Sequence, residues 1–423
     1  MGRARIYFAS AALVGLTCAA LPTLAQAQEA DTNLADVRDQ GVMERARPGY
    51  DPVGIRAGSF MVFPTASVGE SYNDNIYATS NNTVDDFITT LSAGISANSV
   101  WGRHALSLSG GVTQQLYADK SDEDRFNWNL GGAGRLDISR DTALNGSARY
   151  AQLHEDRGNP NSPTTSQEPI EYNLFNAATN LSHRFNRVNA SVGVEYNNYD
   201  YKDATTLGGA NIDQDYRDRD EYTETARLGY FVSPDTNVYV EGRFDQRRYD
   251  LTTPAGNRDS DGWAALVGTE FQISRLTQGN VYVGYQERDY KAAALSSTQG
   301  LAYGIDVEWF ATPLTTVTVS GDSRVEETTV GAASGYDRNS LSVNVDHELL
   351  RNVILSGGVS YTNNDFNDNP RNDDTTGATV GVKYLINRNF DLGLNYTYTN
   401  RDSNTAGFDY TRNVVGLKLT GKL

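Results

Sequence analysis

Between Phe390 and Thr399 every second residue is apolar: Phe390, Leu392, Leu394, Tyr396 and Tyr398. Tyr410 to Leu423 repeats the pattern, with Val415, Leu417, Leu419 and Leu423 on one side and Lys418, Thr420 and Lys422 on the other. Side chains of a strand point alternately to its two faces, so period two means a strand with one apolar and one polar face. From Ser59 onward the chain resolves into such segments of about ten to fourteen residues, the length a tilted membrane strand needs. The chain stops within the last of them. That fits a closed barrel, whose final strand pairs with its first and shows its apolar face to lipid. Bacterial barrels usually end on Phe, and Leu423 departs from that habit.

The other face of each segment is polar and often charged. In Asn237 to Tyr249, Val238, Val240, Gly242 and Phe244 are assigned to lipid, and Tyr239, Glu241, Arg243, Asp245 and Arg247 to the lumen. Ala190, Val192, Val194 and Tyr196 face out, and Glu195 faces in. Val317, Val319 and Val325 stand opposite Asp322, Arg324 and Glu326. Arg149, Arg227 and Arg288 complete the lumen candidates, with Arg135, Glu270, Asp306 and Glu308 beside them. Such charges require a water-filled interior. A soluble sandwich would need a thicker apolar set. Mean hydropathy of −0.52 suits a barrel, since only alternate residues meet lipid.

Two kinds of link alternate. Short turns recur at Ser139–Thr142, Arg184–Arg187, Ser233–Thr236, Ser274–Gln278, Thr312–Leu314, Leu350–Asn352 and Asn387–Asn389. Longer links, rich in Asp, Asn, Gly and Thr, lie between them. Nine long links predict nine hairpins, hence an all-β, up-and-down antiparallel transmembrane barrel of about 18 strands, with short turns periplasmic and long loops outside. Pro64 removes a ladder donor from the first strand and predicts a bulge or irregular start. Tyr72, Tyr117, Tyr150, Tyr196, Tyr249, Tyr285, Tyr361 and Tyr396 lie near the loop ends, and Trp101, Phe185, Phe231, Phe271 and Phe310 near the short turns. Two such bands predict aromatic girdles.

Arg3 and Arg5, the apolar run Ile6–Leu21 and Ala25-Gln26-Ala27 have the pattern of a cleaved signal peptide over residues 1–27. Residues 28–58 read as a polar periplasmic lead-in, with a helical turn near Leu34 to Arg38, and 59–423 as the barrel. The one cysteine, Cys18, lies in the signal, so the mature chain has no thiol chemistry. A net charge of −17 with no basic stripe argues against nucleic acid as a partner.

No cofactor is indicated. His104, His154, His183 and His347 lack metal-ligand spacing, and none has Ser two residues on, as an outer-membrane phospholipase would need. Asn257–Gly262 opens like a calcium loop, but Gly268 stands where the twelfth-position Glu belongs. Asp213, Asp215, Asp218, Asp220 and Glu221 make another acidic loop, which suits loose divalent-cation binding or cation-bridged lipopolysaccharide and equally suits repulsion from anionic surface groups.

From Arg45 to Thr79 the chain reads RARPGYDPVGIRAGSFMVFPTASVGESYNDNIYAT. The run Asp51-Pro52-x-Gly54-Ile55-Arg56-x-Gly58-Ser59-Phe60, then Pro64 and Tyr72-Asn73-Asp74-Asn75-Ile76, resembles the opening of the putative β-barrel porin 2 family. The resemblance implies an outer-membrane barrel in contact with lipid and lipopolysaccharide. It also implies export of an extracellular polysaccharide, with a periplasmic polysaccharide export protein as partner. It carries over no catalytic residue. The lumen's mixed signs leave two uses open: a polysaccharide conduit, in which Tyr239 stacks on sugar faces, or a general diffusion porin or structural outer-membrane barrel.

Overall fold

The computed structural model describes residues 40–163, 165–252, 256–331 and 333–423. The signal peptide and the turn near Leu34 to Arg38 lie outside them. Eighteen long strands form one closed antiparallel ring. In chain order they are β1 (Phe60–Asn73), β2 (Asp86–Ser99), β3 (Ala105–Tyr117), β4 (Arg125–Asp137), β5 (Thr142–His154) and β6 (Glu171–Phe185). Then come β7 (Val188–Tyr201), β8 (Arg219–Ser233), β9 (Thr236–Tyr249), β10 (Ser260–Ile273), β11 (Thr277–Tyr290) and β12 (Thr298–Thr312). The ring ends with β13 (Thr315–Glu326), β14 (Tyr336–Leu350), β15 (Val353–Phe366), β16 (Asn372–Leu385), β17 (Phe390–Ser403) and β18 (Tyr410–Lys422). Each pairs with its sequence neighbours, and β1 closes on β18 from Thr65↔Lys422 to Asn73↔Val414.

The apolar stripes lie on the outer face, although Val325, assigned to lipid, is buried near the loop end of β13. Val68, Leu91, Val192, Val240, Val359 and Leu417 are among the exposed apolar residues, an outer surface only lipid can cover. No described helix is long and apolar enough to cross a membrane. Pro64 makes no bulge: it stays in register opposite Ile95. Its carbonyl accepts from the Leu423 N–H at 3.2 Å, so its own nitrogen faces Leu423 at the end of β18, and the missing donor removes only the last bond of that ladder.

The girdles need correction. Tyr72, Tyr150, Tyr285, Tyr361 and Tyr396 are exposed on the outer face, and Tyr72 meets Phe87, Trp128 meets Tyr150, and Trp263 meets Tyr285 there. Tyr117 is instead buried and takes a 2.9 Å bond from Arg125 on the inner face. Tyr249 also points inward, to Glu327 at 2.7 Å. Among the turn-end residues, Phe310 is buried and Phe231 lies in register with inward-facing Asn237, its ring under Arg184. Parity, not proximity to a turn, decides the face.

The lead-in does more than precede the barrel. Val42 is fully buried, and its N–H donates to Thr316 Oγ1 at 2.9 Å on β13. Arg47 reaches Glu348 on β14 at 2.8 Å, and Arg351 and Arg388 donate to the Ala46 and Pro48 carbonyls. Residues 41–48 therefore lie in the short-turn mouth of the barrel. Ile55–Ala57 then pairs with Phe60–Val62 and feeds β1.

Candidate functional site

The lumen has two unlike walls. On β8 and β9, Glu241 sits between Arg227 and Arg243, each with its Nε 2.5 Å from a carboxylate oxygen. Arg227 also reaches Glu270 at 2.5 Å. Asp245 pairs with Arg288, and Arg247 with Glu327. On β13, Asp322 and Arg324 are 2.5 Å apart, with Glu326 at 3.7 Å and Arg338 of β14 at 3.5 Å. Alternating signs on one inner face thus neutralise each other along and across strands.

This wall is also thick. Tyr239 is 2% exposed: it donates to Asn280 at 2.8 Å, and the Arg227 guanidinium lies 4.0 Å from its ring centre. Gly268 faces Tyr239 in register, and Gly304 faces Tyr282; a Cβ at either glycine would strike the ring. The rings therefore lie down on the neighbouring strands. Glu241, Leu266, Arg288 and Ala302, all facing inward, are buried beneath this layer. Tyr239 has no free face for a sugar.

The opposite wall is thin. The inner positions of β1 to β3 include Ser67, Gly69, Ser71, Ser92, Gly94, Ser96, Ser107, Ser109 and Gly111. They remain partly exposed to the lumen. Serine projects one heavy atom beyond Cβ where arginine projects six, so open space lies along this wall. Of the lumen candidates, Glu195 lies on β7, 3.0 Å from Asn176, and Arg149 on β5, in register with Asn176. The other ten lumen candidates, Tyr239 included, all lie on β8 to β14.

A loop crosses the outer mouth. The third long loop, 155–170, leaves β5, and its contacts reach the far side. Beside its root, Glu155 pairs with Arg217 and Arg157 with Glu123. Farther on, Asp156 meets Arg412 of β18 at 3.0 Å, and Arg401 of β17 donates to the Gly158 carbonyl. At the tip, Asn161 accepts from Thr328 Oγ1 and the Thr329 N–H at 3.1 Å, and donates to the Glu327 carbonyl at 3.0 Å. Residues 327–329 follow β13; β5 and β14 are half the ring apart. The loop spans a diameter. Burial would raise the Asp156 carboxyl, but the Arg412 and Arg125 guanidiniums outweigh it and hold it at about 2. Glu327, buried under the same balance with Arg247, Arg288 and Arg258, is also held at about 2.

Sequence reasoning missed this loop's role, and missed Asp156, Asn161, Glu327, Arg401 and Arg412. One signal was available. Pro160, Pro163 and Pro169 place three of the chain's 11 prolines in one loop, which limits the freedom it loses on docking. Of the acidic loop, Asp213 and Asp215 gather with Asp203, all exposed, while Asp220 turns outward to Tyr196 at 2.7 Å.

A closed barrel with a polar lumen and a crossed mouth is matched by one family model, described as "Putative beta-barrel porin 2", over residues 47–423. The chain belongs to this family. The porin is thus an outer-membrane β-barrel of porin-like, channel-forming type. No curated protein matches it. Among solved structures it is similar to the outer membrane protein OpdK of Pseudomonas aeruginosa, 10% identical over 86% of this chain and 99% of that one, with a TM-score of 0.43. It is similar to the copper transporter OprC at 10% identity over 87% and 82%, TM-score 0.48. The third is OccAB4 of Acinetobacter baumannii, at 12% over 86% and 98%, TM-score 0.44. At these scores the likeness is one of outline.

Proposed function

We propose that this porin passes small polar solutes along its thin wall, through a mouth narrowed by loop 155–170. The observation that carries the reading is the loop's anchorage on both sides of a diameter. A polymer strand would have to displace Asp156, Gly158 and Asn161 from partners on β17, β18 and the 327–329 segment. Small solutes need only the gaps beside the loop. The thin wall offers them Ser hydroxyls, weak partners that release as readily as they bind.

Liposome swelling with sugars of rising size tests this. The porin should admit mono- and disaccharides and exclude longer oligomers. Arg412→Gln with Arg401→Gln, which untie the loop, should raise the size limit. Equal entry of long and short oligomers into wild-type liposomes contradicts the reading.

The polysaccharide conduit implied by the family resemblance is the second use, with a periplasmic export protein as its partner. It requires the loop to swing out and gains nothing from Tyr239. A deletion strain separates the two. Slower solute uptake with normal surface polysaccharide supports the small-solute channel; lost polysaccharide with normal precursor supports the conduit.

A further inference from the structure

The short turns share a pattern that solute passage does not explain. Trp101-x-Arg103, Ile138-x-Arg140, Phe185-x-Arg187, Ile273-x-Arg275 and Ile386-x-Arg388 place an exposed apolar residue two before an exposed arginine. Leu350 and Arg351 make a sixth, adjacent pair. Six of the eight turns carry such a pair. Asp141 and Asp235 are the acids on all eight. The long loops at the other end have the reverse balance, with acids in excess.

We propose that this rim binds anionic phospholipid headgroups of the periplasmic leaflet. Four observations carry it. The apolar member of each pair continues the lipid-facing surface, which puts Arg140, Arg187 and Arg275 at headgroup level, whereas Arg351 and Arg388 are tied to the lead-in and Arg103 to the Asp137 and Ile138 carbonyls. The side chains of Arg140, Arg187 and Arg275 make no hydrogen bond or ion pair among the described residues, so their charge is available. The pairs recur around the ring, whereas a docked protein would contact one sector; a lipid annulus touches every turn. Finally, Ser274 and Arg275 both have φ of +56°. Glycine adopts that conformation freely and arginine does not, yet arginine stands at the tip of the turn.

The test is electron paramagnetic resonance of the porin in phosphatidylcholine bilayers doped with spin-labelled phosphatidylglycerol or phosphatidylcholine. Wild type should hold phosphatidylglycerol more tightly, by about fivefold at a site formed by one arginine. Salt at about 1 M should erase the preference, because it shortens the screening length to roughly 3 Å. Arg140→Gln, Arg187→Gln and Arg275→Gln combined should reduce it while heat-modifiable migration stays normal; the three Arg→Lys replacements should keep it. No preference in wild type, or the same preference in the Gln variant, overturns the proposal. The salt arm uses wild type alone and stands even if a variant fails to assemble.

Discussion

The wall of β8 to β14 and the wall of β1 to β3 obey the same outer rule and opposite inner ones. Both show alternate apolar residues to lipid. Inside, one carries Arg, Glu and Tyr packed two deep over glycines, and the other carries mostly Ser, Gly and Thr. The lipid constrains one face of every strand, and the inner face is free to be scaffold or passage. Here one side is built as scaffold, and the function proposed above makes the other the passage. Charged lumen residues, the natural first guess for a solute path, are mostly spent on each other.

The largest effect should come from breaking the thick wall. Glu241→Ala leaves Arg227 and Arg243 without their shared carboxylate and should cost about 3–5 kcal/mol, read from urea unfolding in detergent micelles. Ser109→Ala on the thin wall should stay within about 0.5 kcal/mol. Equal costs would erase the distinction between the walls. Next, Val240→Arg, one residue from Glu241 but on the lipid face, should cost about 2–4 kcal/mol and reduce assembled protein on semi-native gels. Gly268→Ala follows, because its Cβ meets the Tyr239 ring; about 1–3 kcal/mol is expected. Gly94→Ala on the thin wall, where the nearest atom is the Thr65 hydroxyl at 3.1 Å, should cost less.

The smallest effect sharpens the comparison at the mouth. Asp156 is held at about 2, below the ordinary 3.8. Its ionised form is the stabilised one. Its contribution is complete above about pH 4 and is lost as pH falls toward 2, so single-channel conductance should show no loop release between pH 7 and 4 from this clasp. In Arg412→Gln the carboxyl titrates higher, and release should begin at higher pH. A wild-type transition near pH 5 to 6 would assign the clasp to other groups.

Strand number, facing and closure were legible because period two is imposed by lipid on every strand. The pairing of charges was not, since register is needed to bring Arg227 beside both Glu241 and Glu270. The role of Tyr239 was misread because alternation gives the face, not the depth: Gly268 on the next strand lets the ring lie down. Loop 155–170 looked like any polar loop, since its partners Arg401 and Arg412 lie more than 200 residues away. The lead-in's Arg47 could not be matched to Glu348 for the same reason.

The passage itself is tested most directly by two single cysteines in a Cys18→Ser background. Ser109→Cys faces the open lumen, and Leu266→Cys faces inward but is 3% exposed as leucine under the thick wall. A bulky thiol reagent is added to channels in a planar bilayer. The two-wall arrangement predicts that Ser109→Cys is modified and its conductance falls sharply, while Leu266→Cys conducts as before. Block at Leu266→Cys with Ser109→Cys unaffected would place the passage along the wrong wall and contradict it.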